Sequence, residues 1–428
     1  MTKLLPSRDY LQIREAAQVL GVSEQTLRNW DRAGKLRAHR HPINGYRLYR
    51  ATDLHALLRE FPYGGEAGQR PVGRQLTLEL LTPETNGSSP AQEPHSLPPS
   101  HWSAEVALDP KHRPQRWDSP SSTVRRDWRK YPQEAHVLDR SGGAYRRFSP
   151  EEIAILQGFP AEVVRIDGLT NRQLIASIGD AVPPPLARAV FGAIDEVWDW
   201  NSRTAIEICA GIGGLAEGAA AIGLEHEALI DISPVCKALL TNNRTWRAGV
   251  VHTADVKGFD YSEFRSSVGL LSGGPPCQPW SQSGHGRGQA DERDLLGHLD
   301  EIVRQVEPEV FVFENVPGLA TAANAPYLRH VVARLSAPSP TLRYGVMVGL
   351  LNAADFGVPQ VRRRIFILGF RDRPAAFAGH CFARIERAAT HRDPALPRAG
   401  RRRWVTIGEA LEGRPDPGGW RRWIAAAA

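Results

Sequence analysis

The chain has 428 residues, 42% of them hydrophobic and 23% charged, with a formal net charge of +6; this excludes a disordered or low-complexity protein and suits roughly two or three domains. Four widely separated cysteines, Cys209, Cys236, Cys277 and Cys381, form no CxxC pair and no zinc-ligand spacing, which argues against a disulfide framework, predicts no metal site and favours a reducing compartment. No apolar run approaches the roughly eighteen residues of a membrane span and no secretory segment opens the chain, so a soluble cytoplasmic protein is expected.

Charge is concentrated at the start: residues 1–60 hold eleven Lys/Arg against six Asp/Glu, a balance suited to nucleic acid. There "REAAQVLGV" predicts a short amphipathic helix with Ala16, Ala17 and Leu20 on one face. Gly21 makes a turn, Ser23 is an N-cap candidate, and "EQTLRNWDRAGKL" predicts a second helix burying Leu27 and Trp30. "HRHPINGYRLYR" carries the Asn-Gly of a type I′ hairpin, and "ATDLHALL" closes as a helix. A helix pair joined by a Gly turn and followed by a basic wing is a DNA-binding pattern. Over about fifty residues it resembles the winged helix-turn-helix of MerR-type regulators. That resemblance implies Gln25, Arg28 and Asn29 facing the major groove, with Arg40 and Arg47 on phosphates.

Residues 64–112, rich in Gly, Pro, Ser and His, read as a linker. Next come "YRRFSPEEIAILQGFP" and "LIASIGDAVPPPLARAV"; prolines suit a helix N-terminus, so a helix is expected after Val182. From residue 200 short apolar runs alternate with helical stretches: "TAIEICA", "EALIDI", "VGLLSGG", "VFVFENV", "YGVMVGLL" and "RIFILGF". That alternation predicts an α/β fold whose parallel-rich sheet carries helices on both faces.

"EICAGIGGLAEG" reads as strand, glycine turn and helix. Gly211, Gly213 and Ala216 satisfy the dinucleotide-binding spacing, and Asp231 ends the next strand. The pattern describes an adenosine ribose held by an acid beside a close backbone approach. A nicotinamide dinucleotide and S-adenosylmethionine both meet that description, and the remaining motifs must choose. "SGGPPCQPWSQSG" sets Cys277 among rigid, small and polar residues after an apolar strand, poor surroundings for a core cysteine. "EVFVFENVPGL" ends a buried strand in Glu314 and Asn315. "ADFGVPQVRRRIFILGF" leads into another strand through Gln360, Arg362 and Arg364, and alternation puts the two arginines on one side.

Cysteine, glutamate and arginine together suit methylation of cytosine carbon 5, which becomes nucleophilic only after a thiolate adds to carbon 6. Glu314 can hydrogen-bond N3 and the exocyclic amine, while Arg364 can bind O2 and favour the Cys277 thiolate. The base must first be flipped from the duplex. In this order the motifs resemble those of the DNA (cytosine-5) methyltransferases, over roughly residues 113–371: "AGIGG" the cofactor loop, "PPCQ" the nucleophile, "ENV" the catalytic acid, "QVRRR" the arginine motif. The resemblance implies a Rossmann-like, S-adenosylmethionine-dependent methyltransferase fold, with Cys277, Glu314, Arg362 and Arg364 catalytic. It implies a cofactor site of Ala210, Gly211, Gly213, Gly214, Leu215, Asp231, Ile232, Asp255, Val256, Pro275, Asp180 and Ala181. Asp231 would hold the ribose and Asp255 the adenine amine. Gln278, Ser281 and Ser283 would meet double-stranded DNA on a mobile loop. Asp231 stands where the family commonly has Glu, and Asp180 where it commonly has Asn.

In most of that family the "LQGFP"-like and "IGNAVPP"-like segments come last; here they come first, the order a circular permutation produces. The expected layout is a winged helix-turn-helix at 1–63, a linker or part of a reduced recognition region at 64–112, a permuted closing segment at 113–199, the catalytic and cofactor core at 200–371, and the rest of the recognition region at 372–428. Residues 173–194 should then pack against "AGIGG", and 372–428 against 64–145. Two other readings stay open: a MerR-like transcriptional regulator with a secondary or inactive methyltransferase body, and an RNA cytosine methyltransferase. For the DNA methyltransferase, a cognate restriction enzyme or a completing partner subunit stays open, in a bacterial or phage-infected cell.

Overall fold

The computed structural model describes residues 10–13, 16, 27–28, 31, 36–40, 47–50, 74–75, 114–126, 132–242, 246–247, 249–276, 295–395 and 400–422. By internal packing the chain divides into two compact units, Met1–Pro71 and Val72–Ala428.

In the first unit β1 (Tyr10–Gln12), β2 (His39–Arg40) and β3 (Arg47–Arg50) form an antiparallel sheet in the order β1-β3-β2. The β2–β3 pair is the basic wing; β1 is too short to show alternation in the sequence. Ala16, Leu27, Leu36 and Tyr49 are buried, and the Tyr49 hydroxyl donates to the Leu27 carbonyl at 3.3 Å. Asp31 ties the helix to the wing, accepting from Ala38 N at 3.0 Å and Arg47 Nε at 2.8 Å. Ala17, Leu20, Trp30 and the expected closing helix lie outside the described residues.

The second unit is built on an eight-stranded sheet. Its strands are β4 (Arg74–Gln75), β7 (Thr204–Ile208), β8 (Glu225–Asp231), β9 (Val251–Thr253), β10 (Leu270–Gly273), β11 (Val310–Asn315), β12 (Tyr344–Asn352) and β13 (Arg363–Arg371); β5 (His136–Leu138) and β6 (Ala144–Arg147) pair elsewhere. The order is β4-β12-β13-β11-β10-β7-β8-β9. Strands β7 to β11 run parallel, β13 is inserted antiparallel between β11 and β12, and β4 lies antiparallel on the outer edge. Period-2 alternation feeds both faces: Val310 and Val312 enter one core cluster, Phe311 and Phe313 the other. Burying each such side chain contributes roughly 1.5–3 kcal/mol.

The helices are α1 (Pro150–Leu156), α2 (Asn171–Asp180), α3 (Pro184–Asp195), α4 (Gly214–Ala220), α5 (Pro234–Asn242), α6 (Leu299–Val306), α7 (Ala325–Ser336), α8 (Ala375–Arg387) and α9 (Ile407–Ala410). Helices α6 and α7 cover the Phe311 face, α3 and α8 the Val310 face. Ser149 and Glu152 make a capping box at α1, Thr170 and Gln173 another at α2, and Pro184 opens α3 as its pattern predicts. Helix α3 leads directly into β7, and the junction is pinned by buried Glu309. That carboxylate accepts from Trp198 Nε1, Asn201 N, Asn201 Nδ2 and Ser202 N at 2.7–3.2 Å.

A small lobe joins residues 115–147 to residues 407–422. Strand β16 (Arg421–Arg422) adds antiparallel to β6, which pairs with β5. Ile407 N donates to Ser119 O at 2.9 Å and Gly408 N to Trp117 O at 2.8 Å. Buried Arg146 grips Glu152 through two 2.7 Å bonds and lies 4.9 Å from the Trp420 ring. Residues 407–422 therefore pack against residues 115–147. A parallel pair, β14 (His391–Arg392) and β15 (Arg402–Arg403), precedes α9.

Candidate active site at the carboxyl edge of the sheet

Strands β7 to β11 end, and antiparallel β13 begins, at one edge of the sheet, where open α/β folds bind ligands. Between β7 and α4 the chain turns through Cys209, Gly211 and Gly213, all with positive φ. Gly214 meets a neighbouring backbone: a Cβ there would stand 2.0 Å from the Val182 carbonyl oxygen. Only glycine lets the 179–183 segment close on this loop, so residues 173–194 do pack against "AGIGG".

Asp231 braces the turn, accepting from Gly211 N at 2.9 Å and Ser233 N at 2.8 Å. Beyond it Ile232 is 68% exposed, an open apolar surface beside a carboxylate. Exposed Asp255 accepts from Lys257 N at 3.0 Å. Ala210 is buried in the loop, while the Leu215 and Val256 side chains belong to the cores. Beneath the loop Glu207 is buried and its Oε2 has no hydrogen-bond partner among the described residues. Burial pushes its carboxyl well above the usual range, and Asp231 adds to that.

On β11 and β13, Glu314 Oε1 and Arg364 Nε form an ion pair at 2.7 Å, each less than a tenth exposed. Burial raises the Glu314 carboxyl, opposed by Arg364 and then Arg362. This acid lies over the segment leading to the cysteine: a Cβ on Gly274 would stand 3.6 Å from Glu314 Oε2. Asn315 secures that segment, its Nδ2 donating to the Pro275 carbonyl at 3.0 Å. Cys277, Gln278, Ser281 and Ser283 lie outside the described residues.

Arg362 and Arg364 share the buried side, with Arg363 exposed between them. Their partners differ. Arg362 donates to the carbonyls of Val124, Gly179 and Ala181 at 2.8–3.0 Å. Gln360, fully buried, accepts from Val124 N at 3.0 Å and donates to Leu156 O and to Gln157, which bonds Ala181 O in turn. Asp180 caps the cluster in a 2.6 Å ion pair with Arg126.

In the N-terminal unit Gln25 and Asn29 and the side chain of Arg40 lie outside the described residues, Arg28 is partly buried, and Arg47 is held by Asp31. Sequence reasoning does not single out Arg126, Gln157 or Glu309. Their partners stand 54, 24 and 107 residues away, so neither period nor spacing could mark them.

A family model described as C-5 cytosine-specific DNA methylase matches residues 89–196 and 203–394, and a MerR family regulatory protein model matches residues 12–49. The chain is 35% identical over 175 residues to type II methyltransferase M.NgoMIV of Neisseria gonorrhoeae, covering 41% of this chain and 54% of that protein. It is 34% identical over 179 residues to type II methyltransferase M.NaeI of Lentzea aerocolonigenes, covering 41% and 42%. The chain thus spans about half the length of the curated relatives it matches. Among solved structures, DNMT2 of Spodoptera frugiperda aligns over 40% of this chain and 51% of its own, at 22% identity and a TM-score of 0.31. With its family model spread over both the 89–196 and 203–394 segments, well over half of the sequence, the chain belongs to the C-5 cytosine-specific DNA methylase family, with a MerR-type module at its N-terminus.

Proposed function

We propose that the protein transfers a methyl group from S-adenosylmethionine to carbon 5 of a cytosine in double-stranded DNA. The observation that carries this reading is the buried Glu314–Arg364 pair beside Gly274, directly before "PPCQ". The cofactor fits the residues present: a left-handed glycine turn, Asp231 for ribose hydroxyls, open Ile232 for a purine face and exposed Asp255 for its amine. Gly214 and Ala181 shape the wall, and Pro275 faces the same edge. When bound, S-adenosylmethionine supplies the electrophilic methyl carbon that carbon 5 takes.

The chain's own residues prepare the base. The Cys277 thiolate forms a bond to carbon 6 of the flipped cytosine, and Glu314 holds a proton at N3, taking up the electron pair displaced from the 5,6 double bond. A buried carboxyl raised above its usual range is suited to carrying that proton. Arg364 keeps Glu314 oriented and has guanidinium capacity left for O2. After methylation a solvent base takes the carbon 5 proton, the electron pair left behind restores the 5,6 double bond as the carbon–sulfur bond breaks, the Cys277 thiolate leaves and N3 gives its proton back to Glu314. Arg362, occupied by three carbonyls, acts as a positioning residue.

By the names of its relatives the protein would serve as a type II methyltransferase. Double-stranded DNA would meet Gln278, Ser281 and Ser283 at the catalytic edge, and Gln25, Arg28, Asn29, Arg40 and Arg47 at the MerR-type module. Circular permutation is supported by the α3–β7 junction at Glu309 and by a family match in two pieces that meet there. The 115–147 and 407–422 lobe is then a reduced recognition region assembled from two segments distant in sequence. The test is methyl transfer from labelled cofactor to a mixed-sequence duplex, with bisulfite mapping and a Cys277→Ala control. Label on cytosine carbon 5 that Cys277→Ala abolishes is the expected result; no cytosine methylation on any duplex would favour the regulator reading.

A further inference from the structure

Besides the MerR-type module, the chain has a second concentration of positive charge: residues 387–403 hold six arginines and one acid. The described part of that stretch includes the parallel ribbon of β14 and β15, which pairs His391 with Arg402 and Arg392 with Arg403. Three contacts fix the ribbon in place. His391, 9% exposed, packs on the turn that joins β12 to β13, where a Cβ on Gly357 would stand 3.1 Å from the imidazole. Trp404 Nε1 donates to Asp355 in the same turn at 2.7 Å, and Arg401 Nη2 donates to Glu386 O at 2.8 Å. Because β13 begins at the catalytic edge, the ribbon is anchored beside the Glu314–Arg364 pair's end of the sheet.

The remaining arginines face water. Paired residues of a ribbon share a face, so Arg402 lies on the side of His391 and the turn. It is exposed, and its guanidinium makes no hydrogen bond or ion pair among the described residues. Arg403, its side chain 70% exposed, reaches Glu409 on α9 at 2.8 Å, a pair that solvent screens and a phosphate can displace. Glu409 keeps its own role in capping α9. Arg363, exposed at the start of β13, and Arg401 both lie within electrostatic reach of Asp355. Arg363, Arg402 and Arg403 therefore form a row from the catalytic edge to the 407–422 lobe.

We propose that this row is a sequence-independent clamp on the backbone phosphates of the DNA duplex, holding the strand between the catalytic edge and the lobe. The inference rests on the DNA methyltransferase reading above. An arginine that reads guanine presents a fixed bidentate fork, whereas a phosphate requires only a cation within reach. Nothing holds Arg402 in such a fork.

The test is fluorescence anisotropy of a labelled mixed-sequence duplex on the full chain from about 50 to 200 mM salt, with methyl transfer and bisulfite mapping on the same duplex. Arg402→Gln should lower the slope of log affinity against log salt by about 0.9, the counterion release of one phosphate contact, and the Arg402→Gln, Arg403→Gln double variant by about twice that. Arg402→Lys should keep the native slope. The KM for the duplex should rise with kcat held within about twofold, and the same cytosines should be methylated. Arg265→Gln, which removes an exposed arginine just before β10 at the opposite edge of the sheet, should leave the slope unchanged. An unchanged slope in the double variant, an equal loss in Arg265→Gln, a lysine variant as defective as the glutamine one, or a changed set of methylated cytosines overturns the proposal; the last would assign the row to base reading. No methylation by the unsubstituted chain overturns the methyltransferase reading and this inference with it, whereas methylation with an unaltered slope overturns this inference alone. Unchanged thermal melting of the exposed Arg402 variants separates a binding defect from misfolding.

Discussion

His226 illustrates how a single residue can couple burial to pH. It is 6% exposed on β8, neither ring nitrogen has a hydrogen-bond partner among the described residues, and its ring stands edge-on to Trp246 at 5.1 Å. Burial lowers its pKa to about 4, against an ordinary value of 6.5. The folded chain thus holds it neutral where the unfolded chain protonates it. Its contribution is fully present above pH 6.5 and is lost as pH falls from 6.5 toward 4, in total about 3 kcal/mol. Urea unfolding at pH 7.5 and pH 5 should show a larger drop in midpoint for the native chain than for His226→Leu, which has no proton to bind. Equal drops in the two chains would place the acid sensitivity elsewhere. Such a site leaves little trace in sequence, because "LEHEALI" does not say that the histidine lacks a partner. Glu314 was legible for the opposite reason: an acid closing an apolar strand announces its own burial.

At the level of elements, the approach to β13 does two jobs with one alternation. Positions 360, 362 and 364 point inward, as the sequence period requires, and Arg363 points out. That much was readable, and so were six of the sheet's strands, each a short apolar run with turn residues at its ends. Strands β4, β9 and the β5–β6–β16 group were not, being two to four residues long or paired across hundreds of positions. The partners of Gln360 and Arg362 were equally hidden. Arg362→Lys loses the planar fork that spans Val124 O, Gly179 O and Ala181 O; Gln157 still serves Ala181 O, but a buried carbonyl at Val124 or Gly179 left unpaired costs roughly 1–3 kcal/mol. Its melting temperature should fall by several degrees, while exposed Arg363→Ala should melt like the native chain. Matching melting curves for the two variants would mean that Arg362 does not hold α2 to the sheet.

For the whole molecule, the order of segments is a question of connection rather than of packing. Residues 114–195 supply a layer over the same sheet that residues 204–371 build, through Arg362, Gln360, Gly214 and the α3 side chains in the Val310 core. These contacts are indifferent to which segment the ribosome makes first, and only the α3–β7 joint depends on it. There Glu309 binds Trp198, Asn201 and Ser202. If the order is a permutation, a chain opened between Trp200 and Asn201, with residues 201–428 placed ahead of 72–200, should rebuild the same sheet. It loses part of the Glu309 network, so it should melt several degrees below residues 72–428 in native order, with S-adenosylhomocysteine binding retained within about tenfold. Circular dichroism and calorimetry on the two chains side by side decide the matter. A rearranged chain that stays unfolded while the native-order control folds would show that the α3–β7 connection is required in its present form, and the permutation account would fall.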